Sequence, residues 1–137
     1  MTETSTSHTG QCLCGDVQFS AAGPLRDVLH CHCENCRRVT GNFVAAARTP
    51  TAELLIEDPD EQFHWIDLGY AAYGFCRGCG GTLFFRAAER PETTSVMIGA
   101  LDDASQTALA SVWFAGDAQP HNVLDGSVPH FDGNDSK

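Results

Sequence analysis

The sequence has no apolar run approaching the ~20 residues of a membrane-spanning helix. Its first residues, Met1 to Gly10, are rich in Thr and Ser and carry no apolar core, so they do not read as a secretory signal. Basic side chains are scarce: 8 Lys and Arg stand against 18 Asp and Glu, for a formal net charge of −10. Such a surface repels nucleic acid and anionic membranes, and neither is an expected partner. Any anionic substrate would need a local basic patch. A Ser/His/Asp arrangement, a phosphate-cradling glycine loop and a paired-carboxylate signature are all lacking. An even cysteine count is lacking too. Seven cysteines fit a disulfide framework poorly, and the expected setting is the cytoplasm, where thiols stay reduced.

What is present fits one soluble domain. At 137 residues the chain can bury a core, yet it is small enough that a structural metal would help. Residues 1–9 read as a flexible tail, 10–131 as the domain and 132–137 as a polar tail. Strand character runs through 10–20, with Gly15 allowing a bend, and through 25–31, 43–47, 52–57, 82–85, 94–98 and 111–114. Residues 63–68 and 72–75 flank Gly69 as a hairpin. A short helical turn is expected over 34–39, ended at Gly41, and another within the polar stretch 102–109. The expected fold is mostly β, a set of short antiparallel strands held by metal.

The chemistry lies in the cysteines, which fall as Cys12-Leu13-Cys14, Cys31-His32-Cys33-Glu34-Asn35-Cys36 and Cys76-Arg77-Gly78-Cys79. Thiolate sulfur suits Zn²⁺. Cys76 and Cys79 can reach one ion from a tight turn, and Gly80 and Gly81 let the backbone fold beneath the sulfurs. Cys12 and Cys14, if on a strand, point to one face and can meet the same ion. These four make a closed structural site. Cys31, Cys33 and Cys36 remain, and three thiolates leave a fourth zinc position for water or substrate. A second structural site is the alternative, with His30, His32, His64 or His121 as the fourth ligand. His32, between two ligands on an extended segment, is expected to point away. Arg37 and Arg38 could orient a carboxylate, hydrogen-bond the zinc thiolates, or pair with surface acids. His32, His64, His121 and Asp103 are open candidates for a proton donor.

The segments 10–15, 31–38 and 75–80, with Ile98-Gly99-Ala100-Leu101-Asp102-Asp103, resemble the glutathione-dependent formaldehyde-activating enzyme family, which includes centromere protein V. The resemblance covers residues 10 to 131. It implies a β-tent fold with two zinc ions, one structural on Cys12, Cys14, Cys76 and Cys79, and one catalytic on Cys31, Cys33 and Cys36. It implies a carbon–sulfur lyase that joins formaldehyde to glutathione as S-hydroxymethylglutathione and reverses the step. Family members usually carry an aromatic residue after a proline near the carboxyl end; here Pro120 is followed by His121 and Asn122. A non-catalytic zinc module for protein contacts is a second reading, and a thiol redox sensor a third.

Overall fold

The computed structural model describes residues 7–133. Ten strands and one α-helix occur among them. Strands β1 (Ser7–Gln11), β2 (Gln18–Ala22) and β5 (Leu54–Glu57) form a three-stranded antiparallel sheet. The other strands are β3 (Asp27–Cys31), β4 (Val44–Pro50), β6 (Phe63–Asp67), β7 (Ala71–Cys76), β8 (Thr82–Ala87), β9 (Thr93–Met97) and β10 (Ala108–Trp113). They form a seven-stranded sheet in the order β10-β3-β4-β9-β8-β7-β6. The helix α1 (Glu34–Thr40) follows β3. It ends where expected, at Gly41, whose φ of 91° is a left-handed cap conformation that glycine adopts without strain.

The structure corrects four local expectations. The stretch 10–20 is not one strand: the chain leaves β1 at Gln11, turns through residues 12–17 and returns as β2. Gly15, at φ 83°, makes that turn, and the Cys12 amide bonds to the Val17 carbonyl at 3.0 Å. Strand β1 begins at Ser7, inside the stretch read as tail, because its pairing with β2 continues to Ser7↔Ala22; residues 1–6 lie outside the described residues, as do 134–137 of the polar carboxyl tail. Residues 102–109 hold no helical turn; a tight turn closed by Thr107 N–H on the Ala104 carbonyl leads directly into β10. Finally, not every pair is antiparallel. Strand β10 runs parallel to β3, from Ala108↔Asp27 to Trp113↔Cys31. Local alternation marks a strand but not its partner.

Neighbouring residues on a strand face opposite sides of the sheet, and the seven-stranded sheet uses both sides. Ala47, Phe84 and Val96 enter one core with Val17, Phe19 and Leu25 from the three-stranded sheet side. Ala46, Phe85 and Met97 enter or flank a second core with Leu29, Val44, Tyr73 and Trp113. Each core includes cysteines: Cys12 and Cys76 in the first, Cys31 and Cys36 in the second. Phe84 is the hub of the first core. It has no solvent exposure and meets the rings of Phe19, Phe63 and Trp65 at centroid distances of 5.0, 5.7 and 6.3 Å. Phe84→Ala is expected to cost about 3–5 kcal/mol. Urea unfolding with zinc in excess checks this; a loss below about 1 kcal/mol would show that the first core does not depend on this ring.

Candidate metal centres

Cys12 and Cys14 sit in the β1–β2 turn, Cys76 at the end of β7 and Cys79 in the turn to β8. Thus Cys-x-Cys lies in a turn and not on a strand, yet both sulfurs still converge. The Sγ atoms of Cys12, Cys14, Cys76 and Cys79 all lie within 4.8 Å of one another. Cys12 Sγ is 3.7 Å from Cys14 Sγ, and Cys14 Sγ is 3.8 Å from Cys76 Sγ. Four sulfurs at ~2.3 Å from one ion stand about 3.8 Å apart, so these edges fit a tetrahedral zinc. Backbone geometry supports the cradle. The Gly80 amide bonds to the Cys76 carbonyl at 2.7 Å, the Cys76 amide to the Gly81 carbonyl at 3.0 Å, and the Val17 amide points at Cys12 Sγ at 3.4 Å.

Cys31, Cys33 and Cys36 form the second sulfur group, again within 4.8 Å of one another. Three local structures deliver them. Cys31 ends β3, Cys33 caps α1, and Cys36 lies in the first turn of that helix, its amide donating to Cys33 Sγ at 3.3 Å. No disulfide joins any of the seven cysteines. Each pair of thiolates ~4 Å apart repels by about 4 kcal/mol at an effective dielectric of ~20, so full ionisation here calls for a cation. Without one, the group shares its charge. Hydrogen bonds from Cys31 and then Cys36 hold Cys33 far below the usual thiol range, while the bond with Cys33 pushes Cys31 up to about 12.

Among the described residues no histidine belongs to either sulfur group. His32 points away, as its place between two ligands implies. It is buried, stacked on Phe43 at 4.9 Å beside His30 at 4.6 Å, and its Nε2 has no hydrogen-bond partner. His64 packs on Phe75, and His121 meets Asn42 at 3.3 Å. Asp103 bonds to the Ser105 amide at the surface.

A cavity of about 340 Å³ opens on the three sulfurs, at the small end of the ~300–1,000 Å³ usual for ligand sites. Leu29, Val44, Phe85, Trp113 and Phe114 give it apolar walls, while Tyr73, Arg48, Glu89 and Arg90 add polar groups. None of His32, His64, His121 and Asp103 lines it, and neither do Arg37 and Arg38. Arg38 instead pairs with Glu34 at 3.0 Å on the exposed face of α1. The cationic wall comes from Arg48, which lies 5.0 Å over the Trp113 ring, and from Arg90. Tyr73 was also not singled out from the sequence. Its hydroxyl is 3.1 Å from Cys36 Sγ, and burial, before the neighbouring sulfurs, pushes its pKa well above the usual phenol range. The signal for it was its place in the alternation of a strand that ends on Cys76.

These features define a mostly β protein with two cysteine centres suited to zinc, one closed and one facing a small cavity. A sequence model described as "Glutathione-dependent formaldehyde-activating enzyme" matches residues 7–116. The chain belongs to that family. Among solved structures, a Rhodobacter sphaeroides protein is 25% identical, with a TM-score of 0.61 over 89% of this chain and 98% of its own. Among curated proteins, none matches in sequence. No helix of the described residues is long and apolar enough to cross a membrane.

The four-cysteine group brings two turns together, so metal binding there would contribute folding free energy. Cys79→Ser is expected to lower the zinc content by one ion per chain and to lower the thermal midpoint clearly. Elemental analysis with a calorimetric melt checks it; full zinc content with an unchanged midpoint would contradict the structural role.

Proposed function

We propose that the protein is a zinc-dependent carbon–sulfur lyase acting on a small thiol adduct, with glutathione and formaldehyde as its reactants and S-hydroxymethylglutathione as the adduct. The observation that carries this reading is the cavity on the three sulfurs, where among the described residues no His, Asp, Glu or further Cys joins the group. Family membership supports the reactants. Zinc held by Cys31, Cys33 and Cys36 would supply a soft Lewis acid for a substrate thiol or a polarised oxygen.

The chain's own residues do the rest. The apolar walls formed by Leu29, Phe85, Trp113 and Phe114 exclude bulk water, which strengthens electrostatic contacts inside. Arg48 and Arg90 give the cavity a cationic wall in a chain of net charge −10. That wall suits the carboxylates of a peptide thiol, which a guanidinium binds with two parallel hydrogen bonds. Tyr73 keeps its proton at neutral pH, so its hydroxyl beside the cavity is not a base. The cytoplasm remains the proposed location.

Two experiments test the reading. Cys33→Ala should lower the enzyme-catalysed exchange of formaldehyde with glutathione by on the order of 100-fold or more, followed by exchange NMR against the spontaneous rate, while one zinc and the fold remain. Unchanged exchange in this variant would sink the lyase assignment and favour an interaction module. Arg48→Gln should raise KM for glutathione by about 10–100-fold, the worth of a charged hydrogen bond, and leave KM for the uncharged thiol 2-mercaptoethanol nearly unchanged. An equal rise for both thiols would remove the carboxylate role.

A further inference from the structure

The three-cysteine centre has an electrostatic problem that its ligands do not solve. Three thiolates around Zn²⁺ leave a net charge of −1, which makes the ion a weak Lewis acid. Hydrogen bonds to ligand sulfur counter this, because each draws electron density away from the metal. One is already provided by the backbone: the Cys36 amide donates to Cys33 Sγ. A side-chain donor comes from across the cavity. Tyr73, on β7, is 3% exposed, and its hydroxyl stands 3.1 Å from Cys36 Sγ. Between a thiol and a phenol either atom could donate. A thiolate ligand can only accept, so once Cys36 holds metal the Tyr73 O–H is the donor.

The geometry keeps that donor in place. Tyr73 pairs with Ile66 and Phe85 in the sheet, and its ring lies 5.2 Å from the Phe85 ring. Cys36 itself is buried on α1. The hydroxyl therefore arrives from an element 37 residues away from its acceptor and independent of the loop that carries the ligands.

Resting on the zinc reading of this centre, we infer that Tyr73 is a positioning residue for the metal, its O–H donating to the Cys36 thiolate. The bond fixes the direction of that ligand and lowers the charge sulfur gives to the ion. The ion is thereby more electrophilic toward substrate, and it is held longer.

The test uses the full chain with cobalt(II) or zinc in both centres, comparing wild type with Tyr73→Phe. The sulfur-to-cobalt charge-transfer band of the three-cysteine ion is isolated by difference against Cys33→Ala. In Tyr73→Phe that band moves to lower energy, release of that zinc to a chromophoric chelator is about 10–100-fold faster, and kcat falls more than KM rises. If Tyr73→Phe does not fold, 3-fluorotyrosine is incorporated in a Tyr70→Phe background, where Tyr73 is the remaining tyrosine of the two. The stronger donor then moves the band to higher energy. Two metals in wild type with neither band nor release rate altered would overturn the role of Tyr73 and leave the zinc reading intact. A single metal in wild type would overturn both.

Discussion

Mutual repulsion of crowded thiolates is the constraint on which the structure turns. Four sulfurs from two turns meet with edges of 3.7 and 3.8 Å, and those turns lie 62 residues apart between Cys14 and Cys76. Closing so long a loop costs conformational entropy, although the cost grows only slowly with length. A divalent ion held by these sulfurs would turn the repulsion into attraction and offset that cost in one step. Such a link would pin the small β1–β2–β5 sheet to the end of β7. The first core, with Phe19 from one sheet and Phe84 from the other, fills the space enclosed by that link.

Strand β7 connects this clip to the three-cysteine group. Cys76 ends the strand at the closed centre, and Tyr73 faces the open one. Alternation puts the two side chains on opposite sides of the sheet, into separate cores. The closed centre thus fixes the end of the strand that carries a hydroxyl to Cys36. The other wall is set by the parallel pairing of β10 with β3, which lays Trp113 beside Cys31 and bonds the His32 amide to the Trp113 carbonyl at 3.1 Å. The cavity is lined from five stretches of chain, 29–36, 44–48, 70–73, 85–95 and 113–114.

Most of the strands and the four-plus-three grouping of sulfurs were legible, because both signals are local. Cysteine spacing, the helix stop at Gly41 and alternation within 63–68 and 72–75 need only a few neighbouring residues. The parallel register of β10 was not legible, since it depends on which strand lies alongside. The cavity wall failed for the same reason. Arg37 and Arg38 drew attention by adjacency to Cys36, yet a helix directs them elsewhere, and Arg38 ends on Glu34. Arg48, Tyr73 and Trp113 stand 12, 37 and 77 positions after Cys36, and only the sheet brings them back to it. The Cys12–Cys14 pair shows a related limit: convergence on a metal was foreseeable, whereas a tight turn in place of a strand depended on Gly15 at φ 83°.

The charge distribution gives the site a definite character. A surface of net charge −10 repels an approaching carboxylate at long range, and salt screens that repulsion beyond ~8–10 Å. The attraction of Arg48 and Arg90 acts within the cavity, where low polarity strengthens it. Recognition of an anion in this cavity would therefore come from contact and not from steering. Arg48 and Arg90 thus place positive charge on the wall of the cavity that opens on the three sulfurs.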